Sequence, residues 1–518
     1  MAFHLNTKFI KPNTYRIFTF DNFLIAATIA ITLFTRIFHL TNESLWLDEL
    51  FSMCISNPDQ SFSEISSGIQ TDFHPPFYYY FLNSVFRVFP YNDFVGRLIS
   101  AITGILGVFL MFVLGKTMKN NQTGILMAFL TSLCFFQIKY SQEIRMYILI
   151  FSLTVLLTII FIKIIRNPKS YYFVLYTIVA AVSIYTHYFA FFILLGFSLC
   201  FFHLMISGII NKSLIVRFIV SNLGIIILYL PWIPSMIATG GRHHLMKQPD
   251  AWYFLEYLYS YTGKEPLTTL FIFSGLFLFI IQSIRLIRKG DIKSCNKQYL
   301  NIMVIFYSIL SVYCFTYIIS FFKPILNRPS TIVAIPFVIA AVISGFYEIK
   351  RTYLFLMLSV LVISNSINIV FINKYYTTNS KDNYKQISAT IYASNKHRKD
   401  TIAICQVADF YDYYIRQTDS EIKLFNPNEY KPSEVLDGVN GFYVINAPST
   451  NEKQRKLEEI TEFIFLILNP RIKQEVVNIG KIRNLWNDYI RDNFILDTII
   501  TDKINNKEVA FRFIKKHR

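Results

Sequence analysis

The chain has 518 residues, 53% of them hydrophobic and only 16% charged, with 51 phenylalanines and 33 tyrosines. A soluble domain carries about 25% charged residues, so an ordinary cytosolic globule is excluded and an integral membrane protein expected. The net charge of +17 does not lead to nucleic acid: there is no zinc-ligand spacing and no basic helix with interleaved aromatics, and basic cytoplasmic loops account for the charge.

Apolar runs close to the ~20 residues of a membrane helix predict eleven spans, near 23–40, 94–115, 123–140, 145–165, 171–186, 188–210, 214–234, 266–286, 299–322, 331–347 and 352–373. The first run is long for a signal peptide and reads as a retained anchor, with Lys8, Lys11 and Arg16 inside. The run Pro75–Phe89 is short for a span and carries Arg87. If it does not cross, Lys116, Lys119, Lys163, Arg166, Lys169, Lys212, the Arg285–Lys297 cluster, Lys350 and Arg351 all fall on the cytoplasmic side, as the positive-inside rule asks. It is therefore expected to lie along the outer interface.

On that topology the loop 41–91 is outside. Ser61 and Glu64 form an S-x-x-E capping box, with Phe62, Ile65 and Ile69 on one helical face, so a short surface helix is expected there and a second over Pro76–Phe89. The segments "YSQEIRMY" (140–147), "THY" (186–188), Ser235–Glu265 and "KPILNRP" (323–329) share the outer face. The residues 374–518 are polar, with short β-rich runs ("TIAICQV", "GFYVIN", "VAFRFIK") and a helix over Lys453–Phe465, and are expected to form a small extracytoplasmic α/β domain. No P-loop and no G-x-G-x-x-G is present. The six cysteines show neither C-x-x-C nor a disulfide framework.

The polar residues of the outer face carry the chemistry. Asp48 and Glu49 in "LWLDELFS" stand beside the first span, and one carboxylate at a half-buried membrane edge suits a general base. His74-Pro75-Pro76 is a rigid helix start whose histidine suits a phosphate or a metal. Glu143 and Arg145 diverge as i and i+2 on a helix, so each needs its own partner; ionisable groups at membrane depth are costly and functional or paired. Arg97, Arg328, and Arg242, His243, His244 and Lys264 in the Ser235–Glu265 loop add positive charge to the same face. Acids, histidines and arginines gathered away from ATP suit a substrate that arrives activated through the bilayer, such as a sugar on a polyprenyl phosphate.

In order and spacing, "LWLDELFS", "HPPFYYYFLNSVF", "GRLISAITG", "YSQEIRMY", "THYFAFF" and "NRPSTIVAIP" resemble bacterial membrane glycosyltransferases of the GT-C superfamily, nearest the protein O-mannosyltransferase and aminoarabinose transferase group (glycosyltransferase families 39 and 83), over about residues 20–350. The resemblance implies a GT-C fold: a polytopic α-helical membrane domain over 1–373, with its catalytic outer loop at 41–91 and juxtamembrane helices, followed by the α/β domain 374–518. It implies a polyprenyl-phosphate sugar donor, inversion at the anomeric carbon, and a glycan, lipid or protein acceptor at the outer face of a bacterial cytoplasmic membrane. Residue by residue it implies Asp48 as base, with Glu49 and Glu143 in the acidic motifs, and His74, Tyr78, Arg97, Arg145, Tyr147, His187 and Arg328 toward substrate. It implies metal-optional chemistry; a divalent ion would have Asp48, Glu143 and His74 as candidate ligands. Two motifs depart from the family: Arg328 is followed by Pro329 where relatives have R-Y, and "DNYKQISATI" (382–391) replaces D-W-R-x-x-A. The competing classes are a polymerase or ligase using lipid-linked glycans, a flippase or transporter, whose inverted repeats are missing here, and a receptor carried by the C-terminal domain.

Overall fold

The computed structural model describes residues 20–69, 74–240, 248–288, 297–377, 384–395, 402–405, 408–416, 421–427, 429–445, 485–486, 488–501 and 508–516. Lys8, Lys11, Arg16, Arg242, His243, His244, Lys289, Lys293, Asn383 and the helix expected over Lys453–Phe465 lie outside the described residues.

In chain order the helices are α1 (Phe20–Ile37), α2 (Leu47–Ile55), α3 (Phe62–Ile69), α4 (Phe77–Phe86), α5 (Asp93–Met118), α6 (Asn121–Leu133), α7 (Phe135–Tyr140), α8 (Tyr147–Arg166), α9 (Ser170–Thr186), α10 (Ala190–Ile206), α11 (Lys212–Tyr229), α12 (Ile233–Gly240), α13 (Tyr253–Tyr261), α14 (Pro266–Arg288), α15 (Lys297–Leu310), α16 (Thr316–Phe322), α17 (Ile335–Gly345) and α18 (Arg351–Ile367). The C-terminal part adds α19 (Tyr384–Asn395), β1 (Ile402–Ile404), α20 (Ala408–Ile415), β2 (Lys423–Phe425), α21 (Pro432–Leu436), β3 (Gly441–Ile445), β4 (Phe494–Thr501) and β5 (Glu508–Lys515). Two compact units result: Met1–Phe38, Ser100–Gln142 and Met146–Asn368 form one, and His39–Ile99, Glu143–Arg145 and Ile369–Arg518 the other.

The first unit is a bundle of apolar helices. Among the described residues, six are long and apolar enough to cross a membrane: Asp93–Met118, Tyr147–Arg166, Lys212–Ala238, Pro266–Arg288, Lys297–Phe322 and Arg351–Ile372. Ser170–Thr186, Ala190–Ile206 and Pro329–Gly345 are shorter and equally apolar. Phe34, Ile178, Ile227, Phe277 and Ile363 stand exposed on the outside of this bundle; lipid tails are as apolar as these side chains, so their exposure carries no cost there. The chain is a multi-pass membrane protein.

Without a hydrophobic force between helices, close backbone approach holds membrane bundles together. α14 packs on α17 through two glycines. A Cβ on Gly345 would collide with the carbonyl oxygen of Gly275, and one on Gly275 would meet Val342 at 2.7 Å.

Two spans are less regular than expected from hydropathy. The run 123–140 is two helices, α6 and α7, broken at Cys134, which is extended (φ −66°, ψ 116°). The cause is a buried arginine. Arg36 of α1 donates to the carbonyls of Thr131 (3.3 Å) and Ser132 (3.4 Å), capping the C-terminus of α6 with positive charge. The run 299–322 is continuous but takes a π turn at Ser311–Phe315, a form that sits where a helix is locally re-aimed. There the hydroxyl of Tyr253 donates to the carbonyl of Tyr313 (2.8 Å) and that of Tyr261 meets the Tyr313 hydroxyl (2.6 Å).

The second unit joins the segment His39–Ile99 to the C-terminal α/β part. Its sheet has the order β2-β1-β3-β5-β4, with β1 parallel to β2 and β3, and β5 antiparallel to β3 and β4. Phe442, Val444, Phe511 and Phe513 build its core around the fully buried Trp486, whose indole nitrogen donates to the carbonyl of Pro427 (3.0 Å). In the loop, the expected capping box starts α3: Ser61 N donates to Glu64 Oε2 (2.7 Å), and Glu64 N donates to Ser61 Oγ (3.3 Å). Those bonds to Ser61 hold the Glu64 carboxyl below its ordinary range.

Candidate active site

α2 begins at Leu47, so Asp48 and Glu49 fall in its first turn, where carboxylates suit the helix dipole. Successive residues of a helix point about 100° apart, and here that separates their surroundings completely. Glu49 turns inward and is fully buried; the side chain of Asp48 is 37% exposed.

Glu49 is held on every side. Its Oε1 accepts from Arg97 Nε (3.0 Å) and from the backbone N–H of Ile144 (3.0 Å). Its Oε2 accepts from Arg97 Nη2 (3.0 Å) and from Trp46 N (3.4 Å). Arg97, 2% exposed on the first turns of α5, spends its other donors on the carbonyls of Leu40 (2.7 Å), Glu43 (2.8 Å) and Ser44 (3.1 Å). A guanidinium has five N–H donors, and these contacts use all five. The expectation that Arg97 faces substrate meets a side chain committed to the fold of the Leu40–Glu49 segment.

Asp48 sits differently. Its backbone carbonyl accepts from Ser52 Oγ (2.9 Å) and from Arg145 Nη1 (3.2 Å), and its carboxylate lies 3.7 Å from Arg145 Nη2. Arg145 is buried, and its guanidinium also reaches Ser52 Oγ (3.2 Å), the Tyr79 hydroxyl (3.5 Å) and His74 Nδ1 (3.5 Å). The "HPPFYYYF" segment thus contributes two residues to Arg145. His74 is one; the other is Tyr79 rather than Tyr78, whose buried ring packs edge-on against that of Tyr79 at 5.9 Å. Nothing in the sequence separates Tyr79 from its two tyrosine neighbours, because the start of α4 sets which of them meets Arg145.

Glu143 is buried at the turn between α7 and α8. Its neighbour is Tyr375, just beyond the last span, another residue the sequence does not single out. Burial, with the carboxylates of Glu143 and Glu43 close by, holds the Tyr375 phenol well above its ordinary range, so it stays protonated. The same segment is tied to the loop by Asn42 Nδ2, which donates to the carbonyl of Tyr376 (3.3 Å).

Tyr147, His187 and Arg328 belong to the membrane unit and have their own contacts. His187 accepts at Nδ1 from the backbone N–H of Phe189 (3.1 Å), so Nε2 carries the proton and faces Ser330 Oγ (3.3 Å); its ring lies 5.8 Å from that of Tyr147. Arg328 is ion-paired with Glu256, both about half exposed. In this unit a cavity of about 530 Å³, open volume included, is walled mainly by apolar side chains such as Leu133, Phe271, Val338 and Leu361, with Tyr261 and Asn365 as polar points. Among the described residues, no three His, Cys, Asp or Glu side chains gather into a metal-binding group.

Residues 73–236 match the model of the family described as dolichyl-phosphate-mannose-protein mannosyltransferase. No curated protein matches the chain. Among solved structures it is similar to apo ArnT from Cupriavidus metallidurans, at 9% identity over 94% of this chain and 97% of that one, with a TM-score of 0.58. The same protein bound to undecaprenyl phosphate gives a TM-score of 0.57 at 9% identity, with the same coverage of 94% and 97%. The apo oligosaccharyltransferase of Archaeoglobus fulgidus gives 0.51 at 11% identity, over 84% of this chain and 70% of that one. These likenesses establish the fold.

Proposed function

We propose that the chain is a multi-pass membrane glycosyltransferase that moves a sugar from a polyprenyl phosphate to an acceptor hydroxyl or phosphate, by a single inverting displacement at the outer face of the membrane; the family model over residues 73–236 and the fold shared with ArnT support this reading. Asp48 takes the acceptor proton as the acceptor oxygen attacks the anomeric carbon. The lipid phosphate leaves from the opposite face of the sugar ring, and with one displacement no sugar–enzyme bond forms; the same logic separates inverting from retaining glycosidases. Arg145 orients the Asp48 carboxylate and supplies positive charge toward the phosphate as its own charge grows; His74, whose Nδ1 faces Arg145, adds a polar contact beside it. Glu143, with Tyr375 beside it, positions the acceptor. Glu49 and Arg97 hold the loop that carries Asp48. The undecaprenyl phosphate bound by ArnT supports a carrier of that class.

The observation that carries this reading is the contrast within the acid pair. Glu49 accepts four hydrogen bonds from the protein, whereas the Asp48 carboxylate is part-exposed beside a buried guanidinium. The test is Asp48→Asn in the native host, with surface glycans and carrier-linked sugars compared with wild type. Loss of a general base costs about 100-fold or more, so the glycosylated product disappears and the carrier-linked donor accumulates, at an unchanged level of membrane-inserted protein. Product at wild-type level removes Asp48 from the mechanism.

A further inference from the structure

Beyond Tyr375, the C-terminal part of the chain has no role in the chemistry described so far, yet its side chains reach the segments that hold Asp48. Tyr414 accepts at its hydroxyl from the backbone N–H of Leu45 (2.8 Å). The backbone N–H of Lys385 donates to Ser44 Oγ (3.2 Å), on the residue whose carbonyl binds Arg97. Tyr413 donates to Asp93 Oδ1 (2.9 Å), and the ammonium of Lys385 lies 3.4 Å from Asp93 Oδ2. Asp93 stands one helical turn before Arg97 on α5, so the two share a face. α20, which carries both tyrosines, also packs directly on α2. Asp93, Ser44, Leu45, Tyr413 and Tyr414 are all buried. Burial and the Asp93 carboxylate push the Tyr413 phenol well above its ordinary range, so it remains a donor.

We infer that α19 and α20 brace the catalytic loop, with Lys385, Tyr413 and Tyr414 as positioning residues that set Asp48 through the Ser44–Leu45 segment and through Asp93 at the start of α5. The inference rests on the reading of Asp48 as base. Arg97 and Glu49 join the loop to α5, and the C-terminal residues bind the loop and α5 from a second side, so the start of α2 is fixed from both. A base displaced by about 1 Å loses on the order of 100-fold in rate, which makes such a brace chemically consequential without any contact to substrate.

The test uses the full-length chain in its native host. The variants are the Tyr413→Phe/Tyr414→Phe pair, Lys385→Met and Lys385→Arg, with Asp48→Asn alongside. Two quantities are read: the glycosylated product at matched protein level, and hydrogen exchange of the amides of residues 47–55 in the purified protein. The double variant is expected to lower product about tenfold and to raise exchange in α2 while the spans exchange as in wild type. Lys385→Met gives a smaller loss in the same direction, which Lys385→Arg restores. Wild-type product together with wild-type exchange in α2 overturns the brace. If the double variant fails to accumulate, Lys385→Met decides alone, since that side chain is half exposed and its loss spares the core. If Asp48→Asn keeps wild-type product, the reading of Asp48 falls on its own, and raised exchange in α2 still upholds the brace.

Discussion

Asp48 and Glu49 were legible as a pair because two acids beside an apolar run stand out. Which of them is committed was not legible, because the answer depends on Arg97 and Ile144, 48 and 95 residues further along the chain. The burial of the Glu49–Arg97 pair sets its energetics. Removing one partner strands a charge in the interior, which costs about 3–5 kcal/mol. Arg97→Met and Glu49→Gln are therefore expected to lower the unfolding temperature in detergent sharply and to reduce accumulation. Glu256→Gln breaks the half-exposed pair with Arg328, where such pairs contribute about 0–1 kcal/mol, so its unfolding temperature should stay near wild type. Equal effects from the buried and the exposed pair would contradict this assignment. Tyr375 and Tyr413 were invisible in sequence for a related reason: nothing local marks a tyrosine whose partner lies hundreds of residues away.

At the level of elements, hydropathy placed the helices well. The runs near 145–165, 171–186, 266–286 and 352–373 correspond to Tyr147–Arg166, Ser170–Thr186, Pro266–Arg288 and Arg351–Ile372. Single-segment patterns report length and apolarity, and both survive packing. They do not report what a neighbouring helix does to a backbone. The break at Cys134 needs Arg36 to take the carbonyls of Thr131 and Ser132, and the π turn at Ser311–Phe315 presents the Tyr313 carbonyl to Tyr253. The α14–α17 contact is of the same kind, set by glycines whose role appears only when the helices meet. Gly345→Val puts side-chain atoms against the backbone of Gly275, where no rotamer relieves them. Overpacking of this sort costs about 1–3 kcal/mol, so the variant should unfold at lower temperature in detergent while Gly208→Ala, at a glycine with open space around it, loses only what its positive φ imposes. A wild-type melting curve for Gly345→Val would show that the two helices part readily.

For the whole molecule, charge placement predicts orientation. Lys116, Lys119, Lys163, Arg166, Lys350 and Arg351 gather at one set of helix ends, which the positive-inside rule assigns to the cytoplasm. In a cysteine-free background, Glu429→Cys, on the exposed surface of the C-terminal part, should react with an impermeant maleimide in intact cells, whereas Lys350→Cys should react only after permeabilisation. The reverse pattern would invert the topology. The separation of the loop from its partners along the chain also has a consequence for biosynthesis. The Glu49 carboxylate emerges before Arg97 exists to receive it, and the Ser44–Leu45 segment waits for Lys385 and Tyr414, 341 and 369 residues later. A nascent chain therefore joins Glu49 to Arg97 early, whereas the Ser44–Leu45 segment gains its C-terminal partners only after the last membrane helix has been made.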